Sequence, residues 1–78
     1  MSKSVLQPNP CRNEIHLTAD LDHDYTLVIK DLFGKLVFLH TYPSRHKKIS
    51  LTTVPAGSYV FMIRTNSQTF EERITIIK

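Results

Sequence analysis

The side chains that could do chemistry in this sequence are four histidines and a run of alternating aspartates. No pair of histidines has a spacing typical of a metal site; they are His16, His23, His40 and His46. Asp20, Asp22 and Asp24 are spaced like the start of a calcium loop, but Tyr25 stands where that loop needs Gly. The Glu of the twelfth position is also missing. We therefore expect solvent-facing histidines and a polar connection between strands without a metal; a cation bound by the aspartates is the alternative.

Nucleophilic catalysis is not indicated by the cysteine or the serines. Cys11 is the only cysteine, which excludes an internal disulfide and a cysteine-based metal site. We expect a small, semi-buried residue there; a reactive thiol is the alternative, with only Arg12 as a basic neighbour. The serines lie outside any G-x-S-x-G turn, and Gly34 and Gly57 alone are too few for a phosphate-binding loop. We predict no enzyme and no cofactor.

Short strands are the elements that must position these side chains. Ile15 and Leu17 alternate with polar residues over 14–18, and Leu27 and Ile29 alternate with Thr26, Val28 and Lys30, which is the period of half-buried strands. The segment 31–34 fits a type I turn in which Gly34 supplies the positive φ of a three-residue hairpin loop. The chain then leaves as a strand over 35–40. The side chains expected to face inward in this half are Ile15, Leu17, Leu27 and Ile29.

The second half of the sequence predicts three more strands. Pro43 and Ser44 end the previous strand, and 45–51 forms the next. The strand over 58–63 is apolar on both faces, so we expect it to be central in its sheet or covered by a partner. Tyr59 should be mostly buried, with its hydroxyl bonded to nearby backbone. Asn66 and Ser67 make the last hairpin, and the inward-facing residues are Ile49, Leu51, Tyr59, Phe61, Ile63, Phe70, Ile74 and Ile76.

Length and composition are those of one small folded domain. The chain has 78 residues, of which 41% are apolar and 22% charged, and it is too short for a second domain. Residues typical of strands dominate between turns, so we predict an all-β fold without helices, a small β-sandwich. The longest apolar run, 59–63, is too short to span a membrane, and no signal peptide is found. The chain is thus either cytoplasmic or the end of a longer exported protein.

One basic run could bind a polyanion. The net charge is +3, and Arg45, His46, Lys47 and Lys48 are consecutive. Alternate positions of a strand point to opposite sides, so only part of this charge would share a face. We favour an edge strand whose lysines prevent edge-to-edge pairing over a binding patch. Nucleic acid is disfavoured because no aromatic platform accompanies the charges.

Four signals stand in a fixed order along the chain. They are Pro8-Asn9-Pro10, then Asp31-x-x-Gly34-Lys35, then Pro55-Ala56-Gly57-x-Tyr59, and a β-rich tail that includes Ile74, Ile76 and Lys78. In this order the chain resembles the type A C-terminal sorting domain of the type IX secretion system, the Por secretion system, from about Val5 to Lys78. Gln7 departs from the aromatic residue that family members often have before the opening motif.

The resemblance implies a fold and a non-catalytic function. It implies an Ig-like β-sandwich of about seven antiparallel strands over 5–78, with 1–4 disordered or added by cloning. Such domains are attached to the C-terminus of a cargo protein, whose N-terminal cargo domain is absent from this sequence. They carry the cargo through the periplasm and across the outer membrane, without membrane insertion, to the cell surface or the medium.

The resemblance also implies partners. These are the type IX translocon with its outer-membrane shuttle component, and a sortase-like peptidase that removes the domain. We expect the tail both to complete the core and to take part in recognition, since a terminal strand is readily offered to a partner. The alternative is an Ig-like or fibronectin-like structural or carbohydrate-adhesion module without a transport role. A small enzyme or inhibitor is the third and weakest interpretation.

Overall fold

Seven strands form the protein, which is described here by a computed structural model covering residues 5–78. The residues that we expected to be disordered or added by cloning, 1–4, lie outside this range. The strands are β1 (Leu6–Gln7), β2 (Glu14–Leu17), β3 (Tyr25–Asp31), β4 (Leu36–Tyr42), β5 (Lys48–Ser50), β6 (Gly57–Arg64) and β7 (Thr69–Ile76). No helix occurs between residues 5 and 78, and so none is long and apolar enough to cross a membrane.

Two antiparallel sheets pack face to face. The smaller sheet has the order β1-β2-β5 and the larger the order β4-β3-β6-β7. The predicted all-β fold with about seven antiparallel strands in a small sandwich is confirmed. The central position expected for the strand that is apolar on both faces is also confirmed, because β6 lies between β3 and β7.

The core lies between the sheets and follows the period of two. Every residue predicted to face inward is buried, except Phe70, which is partly buried and packs against the core. The outer face of the large sheet is also partly apolar: Val28 is buried there, beside the half-buried Met62 with which it pairs. This accounts for the pattern of β6, which is apolar on both faces, and for the apolar Val28 on the outer side of β3.

Three local expectations differ from the structure. The two-residue β1, which pairs with β2, was not predicted. The strand expected over 45–51 is shorter, because the N–H of His46 donates to the carbonyl of Pro43 (2.9 Å) in a turn and β5 begins only at Lys48. Cys11 is fully buried, at 1% exposure, rather than semi-buried.

Candidate recognition surface

The four sequence signals meet at one end of the sandwich. In the large sheet, Asp31 pairs with Tyr59 and Tyr59 pairs with Ile74, so one row of the sheet crosses three of the signals. The fourth reaches the same row, because the side chain of Asn9 contacts the residues on either side of Ile74. We name this region the motif end; it comprises residues 8–12, 31–35, 55–57 and 76–78.

Asn9 fixes the opening segment along the outer edge of β7. Its Nδ2 donates to the carbonyl of Arg73 (3.1 Å), and its Oδ1 accepts from the N–H of Thr75 (3.1 Å). The backbone of Cys11 continues this contact, donating to the carbonyl of Thr75 (3.0 Å) and accepting from the N–H of Ile77 (2.8 Å). The edge of β7 is therefore covered over its last residues, which lowers its availability for pairing with another chain.

Asp31 and Gly34 build the hairpin between β3 and β4. One carboxylate oxygen of Asp31 accepts from the N–H groups of Phe33 and Lys35, both at 2.9 Å. The backbone of Asp31 also bonds to Gly34 (3.0 Å) and to Lys35 (2.9 Å). Gly34 has a φ of 87°, a conformation that glycine adopts without steric cost. The predicted three-residue hairpin loop is confirmed.

Tyr59 holds the turn that precedes β6. Its ring is buried, with 7% exposure, and its hydroxyl donates to the carbonyl of Pro55 (2.7 Å). Gly57 has a φ of 153°, and a Cβ there would lie 3.5 Å from the Tyr59 ring. The predicted burial of Tyr59 and its bond to nearby backbone are both confirmed.

The tail contributes core side chains and one charged contact. Ile74 and Ile76 are buried, so their side chains complete the core and do not face solvent. The Lys78 ammonium donates to the carbonyl of Leu51 (3.1 Å) and to Oδ1 of Asn13 (3.2 Å), which fixes the end of the tail against the loops of the small sheet. The signal residues that remain exposed are Pro8, Asn9, Pro10, Gly34, Lys35, Pro55, Ala56 and Lys78.

Glu72, in the middle of β7, makes a structural contact that sequence reasoning missed. It lies between Phe70 and Ile74 on the side of β7 that faces inward, and its Oε1 accepts from the N–H of Val5 (2.6 Å) and of Leu6 (3.3 Å). The carboxylate thereby ties the first described residues to the last strand. A charged residue at an inward position of an alternating strand was the available signal.

Among residues 5–78, two lysines of the basic run have carboxylate partners, unlike the two lysines beside the hairpin. Lys47 pairs with Asp20 (3.4 Å) and Lys48 with Glu14 (3.7 Å), so carboxylates accompany both lysines of the basic run. Lys48 lies on β5, which is an edge strand as expected, whereas Arg45, His46 and Lys47 precede this strand. In the range 5–78, neither Lys30 nor Lys35 has a carboxylate within 4.0 Å; these lysines precede and end the hairpin.

The residues first considered for catalysis are dispersed. All four histidines are exposed, and His46 stacks on Tyr42 with a centroid distance of 4.7 Å. Burial raises the pKa of the Cys11 thiol, which lowers its thiolate fraction and its reactivity at neutral pH. Ser50 and Ser58 have threonine hydroxyls as side-chain partners rather than histidines. In the described part of the chain, no group of three or more His, Cys, Asp or Glu side chains could hold a metal.

The protein is a small two-sheet β-sandwich whose four sequence signals are gathered at one end. The chain belongs to the family of type IX secretion C-terminal sorting domains: the family described as "Secretion system C-terminal sorting domain" matches residues 5–78. No curated protein matches the sequence. Domains of this family are sorting signals that act with the type IX secretion machinery, and they belong to proteins exported across the outer membrane.

Proposed function

We propose that this domain is a non-catalytic sorting signal that directs an N-terminal cargo protein through the type IX translocon to the cell surface or the medium. The observation that carries the proposal is the meeting of all four signals at the motif end, three of them in one row of the large sheet. Segments that only support folding can lie in separate parts of a domain. Segments that together form a binding surface for a partner must lie side by side, as these do.

The signal residues divide into two proposed roles. Those that fix backbone at the motif end or fill the core are positioning residues: Asn9, Asp31, Gly34, Gly57, Tyr59, Ile74, Ile76 and Lys78. Those whose side chains are exposed without such a role offer contacts to the outer-membrane shuttle component: Pro8, Pro10, Lys35, Pro55 and Ala56. The tail would thus act in recognition by shaping the surface, because its isoleucines are buried.

We further propose that the sorting domain spans 5–78 and that a sortase-like peptidase removes it by cleavage N-terminal to Val5. Val5 is buried, and its N–H donates to the carboxylate of Glu72. A peptidase must bind an extended, accessible segment, which a buried and hydrogen-bonded residue does not provide. Cleavage before Val5 leaves the fold intact.

A secretion assay tests the proposed function. A reporter with an N-terminal export signal is fused to residues 5–78 and produced in a host that has a type IX system. We expect the fusion at the cell surface or in the medium, and the reporter without the domain in the periplasm. Retention of the intact fusion in the periplasm would contradict the sorting function and favour a structural or adhesion module.

Two matched charge substitutions test the location of the surface. Ala56→Glu at the motif end and Asn66→Glu in the hairpin at the opposite end both add one carboxylate at an exposed position. We expect Ala56→Glu to lower secretion and Asn66→Glu to leave it unchanged, with equal melting temperatures. Equal secretion of the two variants would show that the secretion machinery does not recognise the motif end.

A further inference from the structure

The hairpin between β3 and β4 exposes an aromatic side chain completely. Phe33 is 98% exposed at the tip of this hairpin, and Leu32 beside it is about half exposed. A water-exposed phenyl ring contributes nothing to the core, and its burial by a partner would be favourable. The tip is part of the motif end, yet neither Leu32 nor Phe33 belongs to the four signals.

The signal residues hold this ring in a fixed position. The N–H of Phe33 itself donates to the Asp31 carboxylate, and the same oxygen accepts from the N–H of Lys35. The backbone bonds between Asp31 and both Gly34 and Lys35 close the loop around Phe33. A side chain presented on a loop that is already ordered loses less conformational entropy on binding, which increases affinity.

The charge around the tip indicates the chemistry of the partner. Lys30 lies before the loop and Lys35 at its end, and neither has a carboxylate partner in the described residues. The single carboxylate of the loop, Asp31, accepts from loop amides. An apolar tip between two unpaired cations is complementary to an apolar pocket with an acidic rim.

We propose that Phe33 is the anchor residue of this domain, the side chain that its recognition protein binds. The phenyl ring enters an apolar pocket of that protein, and carboxylates at the pocket rim face Lys30 and Lys35. This inference rests on the proposed sorting function and assigns its main contact. Asp31 and Gly34 then act as positioning residues for Phe33, as aromatic anchors in protein interfaces require a rigid support.

A lipid surface is the less favourable occupant. One ring and two lysines give only weak and reversible adsorption to an anionic membrane, because stable attachment needs a larger apolar face or an acyl chain. A protein pocket removes the whole ring from water and discriminates this hairpin from other exposed apolar residues.

The test compares two exposed apolar residues in the secreted fusion. Phe33→Ala should lower the amount of reporter outside the cell about tenfold or more, the effect of losing an interface anchor. Leu39→Ala, on β4 outside the motif end, should secrete like the unchanged fusion. Phe33→Trp should be secreted better than Phe33→Ala, because another aromatic ring fills part of the pocket. Compared with the unchanged fusion, Lys35→Glu should lower secretion and Lys35→Arg should leave it unchanged. The isolated Phe33→Ala domain should melt at the wild-type temperature, since the ring packs against nothing.

The outcomes separate this inference from the proposed function. If the intact fusion is secreted and Phe33→Ala is secreted equally well, Phe33 is not the anchor, although the sorting function stands. If the intact fusion stays in the periplasm, the sorting function itself fails. Vesicles of phosphatidylglycerol and phosphatidylcholine give the last comparison. Sedimentation of the wild-type domain with these vesicles, lost in Phe33→Ala, would overturn the protein pocket in favour of a membrane.

Discussion

At the scale of single residues, the signals of this chain act mostly through backbone. Asn9, Asp31 and Tyr59 each use a side-chain oxygen or nitrogen to satisfy main-chain groups at the motif end. Gly34 adds a conformation that other residues adopt only with strain. These signal residues therefore fix the backbone that forms the motif end.

Replacing Tyr59 separates the contribution of its hydroxyl from that of its ring. Tyr59→Phe should lower the free energy of unfolding by about 1 kcal/mol, because the bond to the Pro55 carbonyl is lost. Tyr59→Ala should lower it by about 3 kcal/mol or more, because a cavity replaces a buried ring. Urea denaturation measures both values. A Tyr59→Phe variant as stable as wild type would mean that the hydroxyl bond adds nothing.

Replacing the two glycines tests the turn conformations. Gly34→Val and Gly57→Val should each destabilise the domain by about 1 kcal/mol or more, because β-branched residues are strained at positive φ. At Gly34 an added Cβ meets no heavy atom within 4 Å, so the cost there is backbone strain alone. Gly34→Asn is the control and should lose less stability, since Asn tolerates positive φ. Thermal melting at the wild-type temperature in both Val variants would contradict these turn assignments.

The raised pKa of Tyr25 predicts how the stability of the folded domain changes at alkaline pH. Burial, with a smaller contribution from Tyr42, raises the pKa of Tyr25 from 10.0 to about 12. The folded state thus prefers the neutral phenol, whose hydroxyl donates to the carbonyl of His46. This stabilisation is complete below pH 10 and is lost as the pH rises through about 12. Melting temperatures of Tyr25→Phe should fall less over that interval than those of wild type; identical slopes would exclude Tyr25 as the cause.

At the scale of elements, the last strand depends on the opening segment. β7 is an edge strand, and residues 9–11 cover its edge through the Asn9 amide and the Cys11 backbone. The side chain of Asn9 thus takes the place of a neighbouring strand over a short distance. This arrangement explains why signals at opposite ends of the sequence belong together.

Asn9→Ala should loosen the end of β7 while leaving the core in place. The N–H of Thr75 loses its acceptor and the carbonyl of Arg73 loses a donor. We expect faster hydrogen exchange at Thr75 and a loss of about 1 kcal/mol of stability. Asn66→Ala, in the exposed turn before β7, is the matched control and should leave exchange at Thr75 unchanged. Unchanged exchange in Asn9→Ala would show that the amide does not protect this edge.

The elements differ in how far the sequence predicts them. Alternation identifies β2, β3 and β7 because their inward-facing side chains recur at every second position, and β6 is recognised as a run that is apolar on both faces. Asp31 with Gly34 identifies the hairpin because few residues suit its dihedral angles. The two-residue β1 has no period to detect. The contacts of Asn9 and Glu72 join residues more than 60 positions apart, so the sequence does not reveal which partners they bind.

At the scale of the whole molecule, the two ends of the described chain close the sandwich together. Val5 bonds to Glu72, Asn9 to Thr75, and Lys78 to the loops of the small sheet. A domain of this size has a thin core and a modest stability, to which the contacts between its two ends add. Both the opening signal and the tail thus contribute contacts to the fold that presents the motif end.

One measurement tests the sorting function most directly. The fusion of an exported reporter to residues 5–78 is produced in two isogenic hosts, one with a working type IX translocon and one in which the translocon is deleted. The account predicts reporter at the surface or in the medium of the first host and in the periplasm of the second. Equal release from both hosts, or periplasmic retention in both, would contradict the claim that this domain is a type IX sorting signal.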